Sequence, residues 1–586
     1  MNMKPVMPPA PREQTFGGQL AMMRGAFMAS PARNTIFLIC AGLLGIILLT
    51  AYGQVLLNGW NKPFYDSIER RNLAGFFQQL WVFAQIAAFL LVLNTVQAWL
   101  NQMLHIKLRE GLTHDLLKEW MAPGRGARLA AAGSISVNPD QRVHQDAMQL
   151  ADLSADLGIG LVQSGILLVS FVGVLWSVSE GFSFSFNGTS IAIPGYMVWA
   201  AFLYAGVASA LSWLVGRPLI RLNSERYERE AAMRFALVRV NENREAIALE
   251  GAEAGEERRL EENLSSVLQA VRRIMNAVVR LTFVTSGYGW ITVVAPIVIA
   301  SPVYFSGHLS FGGLMMAAAA FTQVHTALRW FVDHIGSIAD WRATLLRVGN
   351  FRAALLEPPS PLGQPTLGIR VEATEKERIL FDRVTVVSPV GRARLSEPSL
   401  GIGPGERIAI TGEAGVGKTL LFKAMAGLWR EGEGRIGLPK DAAIAFVPSS
   451  PYMPPGTLRE ALCYPLPAGA DDAAAALLDR LGLRHLTDRL DRAGRWDREL
   501  SEDDQRLVAF ARLALHKPDW IVVNQALDSF HGEARRRVLD LFSSELKSAA
   551  LLNIGQVAKA DGAFFSRVVE LRREPMRERA KVVEKA

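Results

Sequence analysis

Cysteine is almost absent: Cys40 and Cys463 are the only two in 586 residues. That excludes a disulfide framework and a thiolate metal centre, each of which needs several sulfurs at close spacing. Both are read as unpaired core residues, Cys40 in an apolar run and Cys463 in the soluble part. Charge is also sparse, with 20% charged against 50% hydrophobic residues. The net charge of +7 is small for this length, and no stripe of basic residues interleaved with aromatics is present. Nucleic acid is therefore not an expected partner. Met1 to Arg33 carries Lys4, Arg12, Arg24 and Arg33 but no short apolar segment with a cleavage site. It reads as a cytoplasmic lead-in rather than a signal peptide.

What the chain has in quantity is long uncharged apolar runs. Residues 35–57, 76–100, 157–178, 193–215, 281–305 and 309–332 are each long enough to cross the hydrocarbon of a bilayer, with Pro296 tolerated as a kink and the last turns of the sixth already polar, Arg329 among them. Membrane lipid is thus an expected contact. Six spans put both ends on one side, and loop charge says which. Segment 101–156 carries Lys107, Arg109, Lys118, Arg125, Arg128 and Arg142, and segment 217–280 is richer still. Segment 179–194 has only Glu180, so both termini are expected in the cytoplasm. The first outer loop, with Lys62, Asp66, Glu69, Arg70 and Arg71, fits this least well.

Segment 217–280 favours helix and has glycine breaks only near Gly251 and Gly255. Two helices of roughly 30 residues would each project on the order of 45 Å. Segment 101–156 has the same form, with its break between Ala122 and Gln141. Proline and glycine then crowd 357–368, a linker by composition. Beyond Thr374 short β-like runs alternate with helices, an α/β pattern ending near Leu571. The expected division is a lead-in over 1–34, a six-helix part over 35–345 and a linker over 346–374. An α/β domain over 375–571 and a charged tail over 572–586 complete it.

Within the α/β part, Gly412-Glu413-Ala414-Gly415-Val416-Gly417-Lys418-Thr419 follows the apolar run 407–410 and precedes a helix-favouring stretch. Strand, glycine-rich turn and helix start are the parts of a phosphate-binding loop. Its glycines let backbone N–H groups converge on phosphate oxygens at the positive end of a helix. Lys418 would reach the β/γ-phosphates, and the Thr419 hydroxyl would ligate Mg²⁺ through the nucleotide.

The chain resembles the SbmA/BacA-like branch of ABC transporters (YddA-type), related to the peroxisomal subfamily D fatty-acyl carriers. The membrane-side marks are Asn58-Gly59-Trp60-Asn61-Lys62-Pro63-Phe64-Tyr65-Asp66, Asn138-Pro139-Asp140-Gln141-Arg142, the run 172–177, and the sixth span from Gly312 to Asp333. In the α/β part they are Gly427-Leu428-Trp429, Phe446-Val447-Pro448, Pro451-Tyr452, Gly456-Thr457-Leu458-Arg459-Glu460 and 516–520. The resemblance implies a six-span, exporter-type (type IV-like) α-helical membrane domain followed by an α/β P-loop nucleotide-binding domain. It implies ATP and Mg²⁺ as cofactors and a dimer with the ATP domains head to tail, either a homodimer or a heterodimer with an intact paralogue. The cargo would be a small peptide, acyl chain, antibiotic-like or other bulky solute crossing the bacterial inner membrane.

Against that family pattern five elements are altered. Asn524 and Gln525 stand for the aspartate and glutamate that follow the Walker B strand. An amide brings no charge to Mg²⁺ and accepts no proton from water. The signature segment keeps Leu500 and Ser501 but has Asp503 at the glycine position, within Glu502-Asp503-Asp504-Gln505. Acids there would face the opposing ATP, and at ~4 Å each close pair repels by about 1–4 kcal/mol. Gln556 replaces the γ-phosphate histidine, Ser449 the glutamine after Phe-Val-Pro, and His531 the aspartate closing the loop after Walker B. With the P-loop spared, hydrolysis is expected to be weak or lost while nucleotide affinity survives. Transport would then draw on protons, or the chain would be the regulatory half of a heterodimer. The ionisable groups for a proton route are Asp66, Glu69, His325, Arg329 and Asp333. The last three share a helix face, although Arg329 and Asp333 also suit a simple pair. Asn94 and Gln97 in the second span suit interhelical hydrogen bonds and substrate contacts equally well.

Overall fold

The computed structural model describes residues 17–18, 25, 32–131, 138–179, 183–186, 189–356, 368–388, 391–467, 473–557 and 562–574. Most of the lead-in, the linker residues 357–367 and the end of the tail lie outside them. The chain divides into two compact units: one is 14–118 with 138–352, the other 1–13 with 119–137 and 353–586.

The first unit is helical. Its elements are α1 (Arg33–Glu69), α2 (Leu73–Trp120), α4 (Pro139–Val178), α5 (Tyr196–Glu242), α6 (Arg244–Glu250), α7 (Glu253–Phe305), α8 (Phe311–Asp333) and α9 (Ile335–Leu356), while α3 (Arg125–Ala131) belongs to the second unit. The last residues of α2 and α9 also pass into that second unit. Between α4 and α5, where only loop was expected, β1 (Ser183–Phe186) pairs antiparallel with β2 (Thr189–Ala192). The turn between α6 and α7 falls at Gly251, whose φ of +62° suits a residue without Cβ, whereas Gly255 lies inside α7.

Among the described residues five helices are long and apolar enough to cross a membrane: α1, α2, α4, α5 and α7. The sixth expected span is helical as α8 but falls short in apolarity, having Thr322, Gln323, His325 and Arg329 along its length. Its surroundings account for this. α8 packs against α1, α4, α5 and α7, and it buries Gly312, Gly313, Leu314, Ala317, Phe321 and Val324. A helix enclosed by other helices has no need of a lipid-facing apolar surface. Cys40, expected in the core, is exposed on α1, since an uncharged span can turn any side toward lipid. Gln97 donates to Gln163 on α4 at 3.1 Å.

The start of α8 is held by α1. Ser310 is its N-cap and accepts from Gly313 N–H at 3.2 Å, while Asp66 accepts from Gly312 N–H at 2.8 Å and from Ser310 Oγ at 3.0 Å. Two of the four free N–H groups of the first turn are thereby satisfied. Asp66→Asn keeps an acceptor there, whereas Asp66→Ala should cost about 0.5–2 kcal/mol, the usual range for a lost cap. Thermal unfolding in detergent distinguishes them: equal loss in both variants would show that charge, not capping, matters at Asp66.

In the second unit one large sheet runs in the order β3 (Arg370–Thr374), β8 (Gly432–Pro439), β4 (Ile379–Ser388), β5 (Gly391–Leu395), β14 (Arg567–Glu574), β7 (Arg407–Thr411), β13 (Ala550–Ile554), β12 (Trp520–Asn524), β9 (Ile444–Val447), with β6 (Ser399–Ile402) also on β4. From β14 to β9 all neighbours are parallel, and the central strands β7, β13 and β12 read as near-continuous apolar runs because both faces are covered, whereas β14 is charged and mostly exposed. Two apolar clusters cover them. One contains Phe510, Phe542 and Trp496, the other Phe381, Leu421 and Met425. The expected boundaries shift at both ends. β3 lies in the stretch read as linker and pairs with β8, and β14 continues past Leu571 to pair Arg572 with Arg394. α9 likewise runs into the expected linker as far as Leu356. The segment 456–460 is a capping box: Thr457 Oγ1 accepts from Glu460 N–H at 3.1 Å and Glu460 Oε2 from Thr457 N–H at 2.7 Å.

Candidate functional site

The parallel strands β7, β13 and β12 end together, and their C-terminal ends carry the chemistry, as open α/β sheets do. From β7 the chain turns through 412–417 into α10 (Lys418–Met425). Gly415 and Gly417 have φ of +74° and +116°, conformations that side chains resist. A Cβ at Gly412 would lie 2.7 Å from the Leu571 carbonyl oxygen. Lys418 is buried and folds back along the loop, its Nζ donating to Gly412 O at 2.6 Å and Glu413 O at 3.0 Å. Glu413, Ala414, Gly415 and Thr419 are exposed, and Val416 is buried. This cradle fits a phosphate chain: exposed backbone N–H groups, a helix start and one ammonium.

Beside it, β12 ends at Asn524, 2% exposed, whose Oδ1 has no hydrogen-bond donor among the described residues. Gln525 has φ of +59° and donates its N–H to Ile554 O at 3.0 Å. In the loop that follows, Asp528 Oδ2 accepts from Gln556 N–H at 2.9 Å, while the Gln556 side chain is exposed. Burial pushes the Asp528 carboxyl above the usual carboxylate range, against the Gln556 N–H and the positive charges of Arg535 and Lys418. The residues of this region whose oxygens could hold a divalent cation accompanying a nucleotide are Thr419, Asn524 and Asp528. The sequence reading passed over Asp528. Its signal was an acid three residues beyond the two amides Asn524 and Gln525. His531 caps no group with its side chain and instead contacts Ser529 O through Nδ1 at 2.8 Å.

The signature segment starts α14 (Glu502–His516), counting α11 (Leu458–Cys463), α12 (Ala473–Arg480) and α13 (Trp496–Glu499) before it. Ser501 is its N-cap, accepting from Asp504 N–H at 3.1 Å and donating its hydroxyl to Asp504 Oδ2 at 2.8 Å. Gln505 donates to the carbonyls of Leu500 at 3.0 Å and Asp497 at 3.1 Å, and Leu500 is buried. Arg506 pairs with Asp503 at 2.8 Å and Glu502 at 2.7 Å, and its Nε donates to Ser449 O at 3.0 Å. One guanidinium therefore offsets two of the three acids, so the expected repulsion is weaker than their number suggests. It also ties the Ser449 turn to the signature helix.

In the helical unit the expected proton groups separate. Asp66 caps α8, as described, and Glu69 is an exposed residue at the end of α1. Arg329 donates to Asp333 at 3.0 Å, one exposed turn-to-turn pair. His325 does not join them. It is 4% exposed, its Nε2 has no partner among the described residues, and its ring lies 5.3 Å from Tyr204 and 5.8 Å from Tyr288. Those tyrosines stack at 4.5 Å, and Tyr204 Oη meets Thr292 Oγ1 at 2.8 Å. Tyr204 and Tyr288 carried no sequence signal, because they come from α5 and α7.

Two family models match the chain in tandem: ABC transporter transmembrane region 2 over residues 23–305, and ABC transporter over 395–526. This chain is an ABC transporter. It fuses a transmembrane part and an ATP-binding part, as its relatives do. The inner membrane ABC transporter ATP-binding protein YddA of Escherichia coli is 27% identical, over 89% of this chain and 90% of that one. ABC transporter D family member 2, chloroplastic, of Arabidopsis thaliana is 25% identical over 83% and 76%. The lysosomal cobalamin transporter ABCD4 of Homo sapiens is 23% identical over 88% of each. A bacterial Atm1-family ABC exporter with ATP bound shares the fold of this ABC transporter, with a TM-score of 0.69 at 14% identity over 91% and 93%.

Proposed function

We propose that the protein is one half of a dimeric ABC transporter of the bacterial inner membrane that binds Mg–ATP through its P-loop and has lost efficient hydrolysis. The cargo is a peptide-like, acyl or other bulky solute, and both termini face the cytoplasm. The observation that carries this reading is the pair Asn524–Gln525 at the end of β12, beside an intact cradle of Gly412 to Thr419. An amide at Gln525 cannot take a proton from an attacking water, and Gln556 replaces the imidazole at the terminal phosphate. The P-loop by itself still offers most of the phosphate contacts. ATP should therefore bind the purified protein, and Lys418→Ala should weaken binding at least about tenfold, since a charge-assisted contact is worth roughly 1.5–3 kcal/mol. Equal affinity in the variant, measured by calorimetry, would remove the nucleotide reading.

A second reading, transport driven by protons with the nucleotide domain vestigial, is favoured by His325. It is a buried imidazole among helices, and its Nε2 has no partner among the described residues. Intramembrane ionisable groups are uncommon without a role. Uptake that stops with a protonophore, survives Lys418→Ala and fails in His325→Phe is the expected result on this reading. Uptake only in the presence of a co-purifying paralogue would instead mark a regulatory half.

A further inference from the structure

The carboxylate that β12 lacks has a counterpart four residues on. Asn524 and Asp528 each hold a buried Oδ1 with no hydrogen-bond donor among the described residues. Buried acceptors without donors are costly and uncommon, and the cost is largest for an anionic one. The Asp528 carboxylate does not sit there loosely. Its Oδ2 takes the Gln556 N–H at 2.9 Å, and Oδ1 lies close over Gly555, where an added Cβ would come within 2.5 Å of it. Gly555 and Gln556 follow β13, which lies between β12 and β7. The Asp528 side chain thus reaches over the end of β13 toward the strand that leads into the P-loop. The charge of Lys418 acts on it there.

Asn524 ends β12 opposite Ile554, and Asp528 lies against Gly555 and Gln556 just beyond it, so two oxygens without donors, one anionic and one neutral, come from neighbouring strand ends and suit a hard cation. Mg²⁺ in nucleotide sites takes one or two protein oxygens and completes its shell with phosphates and water. We propose that Asp528 supplies the negative charge for the Mg²⁺ of a bound Mg–nucleotide, with Asn524 Oδ1 as the neutral oxygen beside it. The charge lost at Asn524 is relocated rather than absent, while the proton-accepting role of Gln525 is not restored. This inference rests on the nucleotide reading above.

The test uses the full chain in detergent, with ATP titrated by calorimetry in Mg²⁺ and in EDTA. Mg²⁺ should tighten ATP binding at least tenfold in the unmodified protein. In Asp528→Asn, which is isosteric and keeps an acceptor for Gln556 N–H, that gain should fall below threefold. Its affinity in EDTA should be equal or higher, because a negative charge near the phosphates has gone. Mn²⁺ with ADP gives a second readout, the electron-paramagnetic-resonance signal of bound Mn²⁺, which should fall in the variant. A full Mg²⁺ gain retained in Asp528→Asn overturns the assignment. So does ATP binding by the unmodified protein that ignores Mg²⁺, although the nucleotide site then stands. No ATP binding under either condition overturns both readings.

Discussion

Reconstituted in lipid, the protein should release phosphate from ATP roughly 10²–10⁴-fold more slowly than an ABC transporter with an intact site, the usual loss when a general base is removed. The cause is local. Gln525, just past the end of β12 with its backbone held by Ile554, ends in a neutral amide that cannot take a proton from the attacking water. Relocated charge at Asp528 does not substitute, because its Oδ2 is already bound to Gln556 N–H in the turn after β13. The double change Asn524→Asp/Gln525→Glu should raise the rate at least tenfold. It should not restore it fully, since Gln556 and Asp503 remain. Arg506 lessens the burden at Asp503, pairing with it at 2.8 Å. Vanadate-sensitive turnover by the unmodified protein at rates ordinary for intact transporters would sink this account.

Asp146→Ala should be strongly destabilising for the helical unit, at about 3 kcal/mol. Asp146 is buried at 2% exposure near the start of α4, in a turn widened to π geometry. It accepts from Arg347 Nε at 3.2 Å and Nη2 at 3.0 Å, and it also pairs with Arg142. Breaking a buried pair costs about 3–5 kcal/mol when the remaining charge stays dry. Here the lower end applies, because the arginine side chains are 25% and 38% exposed and can turn to water. Arg347 also donates to Thr344 Oγ1 at 2.9 Å, which keeps it oriented. Thermal unfolding in detergent should show a drop of several degrees, and Asp146→Asn a smaller one. An unchanged midpoint in Asp146→Ala would mean the pair holds nothing together. A parallel clamp, Arg352 with Asp115 at 2.7 Å, joins α9 to α2 by the same means.

The helices over 35–57 and 281–305 were legible because apolar runs need no partner to declare themselves. α8 was harder: its polar residues blur the run, and only packing on four other helices explains them. The charged groups were least legible. Asp66 and Ser310 are 244 residues apart, and Arg347 and Asp146 are 201 apart. No spacing rule spans such distances, so the hold that Asp66 has on the start of α8 appears only in the fold.

The sequence by itself determined the P-loop, the apolar runs and the residue types at five further elements of the expected ATP site. Each of these is a matter of residue type at short spacing, where backbone geometry leaves little choice. Only the tertiary structure decided what the charges do: that Arg506 ties up two signature acids, that Arg329 pairs with Asp333 while His325 stands apart, and that Asp528 lies against the end of β13. The reason is that a charge takes its role from whatever lies within a few ångströms, and the fold alone brings those groups together.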